Sequence, residues 1–399
     1  MVKIAIIGYG TVGSGVYEII RDNTFEEAAM TPMCVKHILD IRDFPEHPQK
    51  ELFTKDFDDI LNDDEVYCVV EAMGGLNPAY EFTKALLLKG KNVVTSNKEL
   101  VATHGPELLK MAKEKNVNYL FEASVGGGIP IIKPMCSSLM ANKIEKIIGI
   151  LNGTTNFILT EMISNNKSFE EALADAQSKG YAERNPAADI EGHDACRKLA
   201  ILSSLAWGNY VNYNDIVTEG ITKITLDDVK YADKLGYVIK LIGFAEKKNK
   251  IFARVSPLLI PKSHPLASVS DVFNAIAVKG NYLGTSMFYG RGAGKFPTAS
   301  AVVADVIDSV RHINANKAYL EWKPAEENYM LPIEESVNRY FVRTQSTKEQ
   351  IKSVFANTQI CDGIKNGEIG FITEKMTEKE FNDKIKSINI TGYIRVLEA

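Results

Sequence analysis

Short aliphatic runs alternate with helical stretches along the first 130 residues. VKIAIIG (residues 2–8) reads as a strand and TVGSGVYEIIRDN (11–23) as a helix. CVKHILDI then predicts a strand, FDDILND a short helix, and VYCVVEAM a strand whose unbroken apolar run suits a sheet covered on both faces. NPAYEFTKALLLKG, KNVVTS, PELLKMAKEKN and VNYLFEAS continue the alternation of helix and strand. This order predicts an α/β domain with a doubly wound parallel sheet of Rossmann type over residues 1–130.

After SVGGGIP the rhythm changes to longer helices mixed with isolated strands. That marks a second domain of α+β type over 131–294, expected to bind substrate and to mediate dimerisation. TASAVVADVIDSVRHI is an amphipathic helix, and a helix over 295–320 is expected to complete the first domain. KPAEENYMLPIEES has the polar, proline-containing character of a linker. Beyond it NRYFVRTQ, STKEQIKSVFAN, GEIGFITEK, TEKEFNDKIKSI and YIRVLEA predict strand, helix, strand, helix, strand, a small α+β module over 335–399.

Composition narrows the functions. At 399 residues the chain exceeds one compact core. A net charge of −5 supplies no basic field for a nucleic-acid backbone, so nucleic acid is not an expected partner. No apolar run approaches the roughly 18 residues needed to span a bilayer, so no membrane is expected either. The start, MVKIAIIGYG, does not read as a signal or transit peptide. Cys34, Cys68, Cys136, Cys196 and Cys361 are scattered without a CxxC spacing, which indicates neither a zinc site nor a disulfide framework. The chain reads as cytoplasmic.

GYGTVG at 8–13 matches G-x-G-x-x-G between a predicted strand and a predicted helix. Gly8 permits the tight turn, Gly10 lets the backbone approach a pyrophosphate, and Gly13 lets helix and strand pack closely. With Tyr9, Thr11 and Val12 between the glycines, the helix N-terminus faces the anion. The end of the second strand bears on the choice of nucleotide. Asp40 suits the ribose hydroxyls of NAD and Arg42 suits the extra phosphate of NADP, so both remain open. A second cluster, GRGAGK at 290–295, is not a nucleotidase phosphate loop, because Tyr289 stands at its first glycine position and Phe296 at its Ser/Thr position.

The segment GYAERNPAADIEGHDACRKLAIL (180–202) runs from a charged approach into an apolar helix. With Asp189 as N-cap, Glu191, Asp194 and Lys198 follow at i, i+3 and i+7 on one face. As a solvated stripe, the Asp194–Lys198 pair is worth about 0.3–0.5 kcal/mol. As a buried site, it suits the other half of nicotinamide chemistry, a carbonyl that must be polarised and protonated as the hydride arrives. A lysine donates that proton if burial lowers its pKa, whereas the nearby Asp194 favours the ammonium, which still polarises the oxygen. The remaining carboxylates are then available for a substrate amine.

Taken together, GYGTVGSG, VVTSNKEL, FEASVGGGIPII, GILNGTTNFIL, the charged segment and GRGAGKFPTASAVVAD resemble the homoserine dehydrogenases, in the family's order, over about the first 320 residues. The resemblance implies reversible NAD(P)-dependent reduction of aspartate 4-semialdehyde to L-homoserine, on the branch to threonine and methionine. It implies Lys198 as proton donor, Glu183 as the substrate-binding carboxylate, and Asp189 and Asp194 as carboxylates of the same site. Lys98 matches a lysine where cofactor and substrate meet, Thr95 and Ser96 lie along the nicotinamide side, and Gly294 belongs to the cofactor set. The family also holds a monovalent cation (Na+) mostly by backbone carbonyls, which map to Glu122, Val125, Gly127 and Ile129. A homodimer or homotetramer is implied.

Two departures stand out. Where the family often reads AExDP, Arg184 and Asn185 precede Pro186, so one acidic position is lost. The tail resembles a shortened ACT regulatory module, but QSTKEQ replaces its usual D-x-P-G turn. The tail is therefore expected to have lost threonine sensing, while Tyr340, Val342, Ile369 and Phe371 offer an apolar face for pairing with another copy. Two other readings are a different amino-acid aldehyde dehydrogenase, against which GILNGTTNF argues, and a silent NAD(P) sensor, against which Lys198 and Glu183 argue.

Overall fold

The computed structural model describes residues 1–22, 31–313, 320–325, 327–361 and 364–398. It divides into two compact units, Met1–Lys143 with Ala200–Tyr213 and Phe288–Ala325, and Ile144–Leu199 with Asn214–Met287 and Glu326–Ala399.

The first unit holds six parallel strands: β1 (Val2–Ile7), β2 (Met33–Leu39), β3 (Phe53–Thr54), β4 (Val66–Glu71), β5 (Asn92–Thr95) and β6 (Tyr119–Leu120). Their order, β3-β2-β1-β4-β5-β6, reverses between β1 and β4, the crevice where doubly wound sheets take ligands. One face packs Ile4, Ile6, Cys68, Val70 and Val94 against Val16, Tyr17 and Ile20 of helix Thr11–Asp22 and against Ala299, Val302 and Val306 of helix Lys295–Arg311. That second helix returns from far along the chain to close this core and ends at Arg311 with His312 as its C-cap, short of the expected residue 320; residues 314–319 lie outside the described residues, as does Asn23.

Two elements differ from the sequence reading. The helix placed at 106–116 begins at Lys98 and runs to Lys115, with Asn97 as its N-cap. Pro106 lies inside it and removes an N–H, but the carbonyl of Ala102, one turn back, accepts from the Tyr210 hydroxyl at 2.9 Å instead. The charged segment is also not one helix. A short helix, Ala187–Ile190, ends before Gly192 (φ +87°), and a second helix runs His193–Trp207. Asp189 therefore sits within the short helix, not at an N-cap, and Glu191 leaves the shared face to meet His193 at 3.1 Å.

The second unit is built on a mixed sheet that adds β7 (Ile144–Ile150), β8 (Val217–Thr218), β9 (Tyr237–Lys247), β10 (Ile251–Pro261), β11 (Phe273–Gly280), β12 (Gly284–Arg291), β13 (Val337–Thr344), β14 (Gln359–Cys361), β15 (Ile369–Ile372), β16 (Met376–Thr377) and β17 (Ile390–Val396). Its order is β12-β11-β7-β9-β10-β17-β13-β15-β14, with β16 on β13 and β8 on β10. Residues 335–399 supply a β-α-β-β-β-α-β run including β14 and the two-residue β16, which the sequence reading omitted. β17 pairs in parallel with β10, and Leu397 enters the core of Ile150, Ile242, Leu258 and Ile260. The apolar face of the tail is already covered: Tyr340, Val342, Ile369 and Phe371 pack with Ile351 and Phe381 of its own helices and with Phe355, the C-cap of the first. The stretch read as a linker is partly tied down, since Leu331 N–H donates to the Ile251 carbonyl at 2.7 Å.

Candidate active site

In the first unit, β1 is followed by Gly8, whose φ of +94° favours glycine. A side chain at Gly13 would place its Cβ 1.8 Å from the Gly8 carbonyl oxygen, so the loop closes only with glycine there. Nothing lies within 4 Å of the Cβ direction of Gly10, which leaves its backbone open to approach. Thr11 is exposed, Val12 is half-buried, and the Tyr9 N–H donates to Asp40 Oδ2 at 2.7 Å while its hydroxyl meets His47 at 3.0 Å.

Asp40 and Arg42 engage each other. Arg42 Nε donates to Asp40 Oδ1 and Nη2 to Oδ2, both at 2.9 Å. The Arg42 guanidinium bonds hold the Asp40 carboxyl down to about 2, its burial acting in the opposite sense. Beside the pair opens a cavity of about 400 Å³ that Lys50, Lys55 and Phe44 also line.

At the ends of β4 and β5 a buried carboxylate, assigned no role from sequence, shapes the turn. Glu71 accepts from Thr95 Oγ1 at 2.6 Å and from Met73 N–H at 2.8 Å, and burial raises its pKa. The Thr95 hydroxyl also accepts from Asn97 N–H at 2.9 Å, so it is engaged within the turn. Ser96 and Lys98 follow, half-buried, with Lys98 the first residue of its helix. Gly294 (φ +124°) precedes helix Lys295–Arg311, and Lys295 pairs with Glu18 at 2.8 Å, so the lysine of GRGAGK has an internal partner.

The turn after β6 is tightly built. Gly127 has φ +55°, and a Cβ there would meet the Gly292 carbonyl oxygen at 2.4 Å. The Glu122 carboxylate accepts from the N–H groups of Ile131, Ile132 and Lys133 at 2.6–2.8 Å. Among the described residues the buried carbonyls of Val125, Gly127 and Ile129 accept no hydrogen bond, and that of Glu122 only a long one of 3.4 Å from Val125. Beneath them burial lifts Asp305 to about 8. No group of three or more His, Cys, Asp or Glu side chains suited to a metal occurs among the described residues.

In the second unit the charged segment becomes a buried cluster. Lys198 is 8% exposed and Asp194 4%, which rules out a solvated stripe. Lys198 Nζ donates to Asp194 Oδ2 at 2.7 Å and to the Leu151 carbonyl at 2.8 Å. Asn152, quoted within GILNGTTNFIL but given no role, joins the carboxylates: its Nδ2 donates to Asp189 Oδ1 at 2.7 Å and to Asp194 Oδ2 at 2.9 Å. Its Oδ1 caps helix Gly153–Asn165 at Thr155 N–H. An Asn before GTTNF was the available signal, a cap residue whose amide has hydrogens to spare. Glu183 is not in this network. It lies exposed on the bend before the short helix, which Thr154 holds by donating to the Tyr181 carbonyl at 2.6 Å.

Comparison with known proteins gives a consistent result. Residues 8–122 match the family model described as homoserine dehydrogenase, NAD binding domain, and residues 130–307 that described as homoserine dehydrogenase. A homoserine dehydrogenase of Synechocystis sp. is 44% identical over 357 residues, 86% of this chain and 82% of its own length. The crystal structure of one from Thiobacillus denitrificans superposes with a TM-score of 0.92 at 37% identity, covering 100% of this chain and 98% of that one. A hyperthermophilic archaeal homoserine dehydrogenase in complex with NADPH gives 0.68 at 29% identity, covering 80% and 99%.

Proposed function

The chain belongs to the homoserine dehydrogenase family, an NAD(P)-dependent oxidoreductase acting between aspartate 4-semialdehyde and L-homoserine, and we propose that Lys198, held by Asp194 and Asn152, is its proton donor. The buried Asn152–Asp194–Lys198 network is the observation that carries this reading. When bound, the nicotinamide dinucleotide delivers or accepts the hydride. The residues present fit it: the Gly10 backbone is open, the Gly8 and Gly13 positions exclude side chains, and Asp40 and Arg42 border a cavity. Tyr9, Thr11, Val12, Ser96, Lys98 and Gly294 complete the proposed cofactor set, with Thr95 acting through the shape of its turn.

In reduction, Lys198 Nζ gives its proton to the carbonyl oxygen as that oxygen becomes a hydroxyl. Asp194 keeps the amine protonated beforehand by accepting from it at 2.7 Å. Leu151 and Asp194 aim Nζ, and Asn152 fixes Asp194 and Asp189 so that neither turns toward the other. Glu183, exposed on its bend, pairs with the substrate ammonium from the solvent side. The Glu122–Ile129 turn suits a monovalent cation such as Na+, because buried carbonyls rarely lack partners and hard cations prefer oxygen.

A homo-oligomer is supported by β12, which ends the mixed sheet and leaves Met287 and Tyr289 exposed, with Tyr282 and Leu283 before it. The ACT-like reading of the tail is supported by its β-α-β-β-α-β order once the two-residue β16 is set aside. Loss of ligand binding at its first turn is supported by the contacts that fill it: the Asn389 carbonyl accepts from Thr344 Oγ1 and from Gln345 N–H, and Asn389 N–H donates to Ser346 Oγ. A cytoplasmic setting is supported by five cysteines without a disulfide among the described residues, and no helix there is long and apolar enough to cross a membrane. An absorbance assay of reduced nicotinamide with L-homoserine and each of NAD and NADP tests the reading. Turnover with homoserine is expected, and its absence with both dinucleotides would overturn it.

A further inference from the structure

The crevice where the sheet order reverses between β1 and β4 has two sides. Gly8, Gly13, Asp40 and Arg42 belong to the side of β1 and β2, which takes the adenosine half of a dinucleotide, and the turns after β4 and β5 face the other half. Glu71 stands between those two turns. It is the last residue of β4 and 0% exposed, directly after Val69 and Val70, so a carboxylate there works against burial. Its Oε1 accepts from Met73 N–H at 2.8 Å and its Oε2 from Thr95 Oγ1 at 2.6 Å. Thr95 Oγ1 accepts in turn from Asn97 N–H at 2.9 Å, and Asn97 Nδ2 donates to the Gly75 carbonyl at 2.6 Å. These bonds close a ring through both turns, and the carboxylate joins them.

What the ring holds is open backbone. Gly74 and Gly75 have φ of +82° and +70°, and nothing lies within 4 Å of the Cβ direction of either, so both present backbone to a ligand as Gly10 does. The same turn abuts the dinucleotide loop. Ala72 N–H donates to the Ile7 carbonyl at 2.8 Å, and a Cβ on Gly8 would lie 2.9 Å from the Ala72 carbonyl oxygen. Asn97 also caps helix Lys98–Lys115 by accepting from Leu100 N–H at 3.1 Å, so the ring sets where Ser96 and Lys98 stand.

We propose that Glu71 is a positioning residue for the nicotinamide half of the cofactor, fixing the Met73–Gly75 and Thr95–Lys98 turns as the two walls between which that half is held. Fully buried, it acts through the turns and not by contact. The inference rests on the cofactor reading above. A carboxylate suits the task because both of its oxygens accept and neither donates. Glutamine at this position would accept from only one of the two donors and turn its amide hydrogens toward the other, so one wall is released while the size of the side chain is kept.

The test compares whole and truncated cofactors on the full chain. Dissociation constants are measured by calorimetry and by reduced-nicotinamide fluorescence for NADH and NADPH, and by calorimetry for ADP and adenosine 2′,5′-bisphosphate, which keep the adenosine half and lack the nicotinamide half. In Glu71→Gln the dinucleotide that wild type binds more tightly should lose about tenfold or more in affinity, the effect of one hydrogen bond to a charged group, while the matching adenosine nucleotide stays within about twofold of wild type. Thr95→Val removes the same bond from its other end, should behave alike, and carries the test if Glu71→Gln does not fold. Thr95→Ser keeps the hydroxyl and should keep the affinity. Wild-type dinucleotide affinity in Glu71→Gln, or an equal loss for the adenosine nucleotide, as a general loosening of the unit would give, would overturn the proposal. A wild type that binds neither dinucleotide overturns the cofactor reading and this inference with it, so the two failures are distinguishable.

Discussion

Asn152 gives the sharpest test of the catalytic reading, because its two functions separate by substitution. Its Oδ1 caps a helix while its Nδ2 donates to Asp189 and Asp194. Asn152→Ala removes both: the cap is worth about 1 kcal/mol, and a donor to a buried carboxylate about 1.5–3 kcal/mol. A stability loss of about 2.5–4 kcal/mol follows if the two add. Turnover should fall about 100-fold, the cost of reacting groups misplaced by about 1 Å. Asn152→Asp keeps the cap, since Asp serves equally well there. Ionised, the new carboxylate would stand 2.9 Å from Asp194 Oδ2, a repulsion of about 6 kcal/mol at an effective dielectric constant of ~20. The introduced carboxyl therefore stays protonated at moderate pH and donates to one neighbour only. As pH rises and it ionises, turnover should fall through a transition that wild type lacks. Steady-state oxidation of L-homoserine across pH, with urea denaturation of each variant, measures both effects. Wild-type turnover in Asn152→Ala, or a wild-type pH profile in Asn152→Asp, would refute the assignment.

Lys198→Ala should lower turnover by about 100- to 10,000-fold while the dissociation constant of the cofactor stays near its wild-type value, as expected for loss of a general acid. Glu183→Ala should raise KM for homoserine, and a deaminated substrate analogue should suffer no comparable loss; an equal loss removes the ammonium from its role. Arg42→Ala should lower kcat/KM with NADP relative to NAD, since it deletes a guanidinium at the proposed ribose end; an unchanged ratio places the specificity elsewhere. Lys240, 2% exposed, donates to Asn156 Oδ1 and the Val269 carbonyl, and burial depresses it from 10.5 to about 8. Below the folded value both states are protonated; between the two values only the unfolded state is, so stability rises with pH across that window. Relative to Lys240→Met, the wild type should gain about 3 kcal/mol from its lower to its upper end by urea denaturation, and parallel curves would show that the amine titrates normally.

The parts of this fold that were legible in the sequence are those governed by neighbours in the chain. The aliphatic runs of β1, β4 and β5 and the glycines at 8, 10 and 13 announce a dinucleotide-binding unit, because strand burial and backbone clearance are local demands. The i,i+4 spacing also announced the Asp194–Lys198 pair. It misplaced the start of that helix at Asp189, whereas Gly192, with its positive φ, ends one helix and lets the next begin one residue later. The error has a chemical consequence: Asp189 and Asp194 sit on separate helices and need a third residue to align them.

That third residue shows where local reasoning stops. Asn152 stands 42 residues before Asp194, and an asparagine that caps a helix looks the same in sequence whether or not its amide also holds two carboxylates. Glu71, 24 residues from Thr95, is hidden in the same way within a strand that reads as apolar. At the tail the separations are longer still. Arg254 meets Asn338 across 84 residues, and Arg395 meets Glu219 across 176. Single charges inside strands such as IFARVSPLLIP and YIRVLEA look like solvent-facing positions. Only the pairing of β10 with β17 buries them together, leaving one arginine matched and the other underused. The seam that joins the tail to the rest of the mixed sheet is therefore also where the unanswered charge lies.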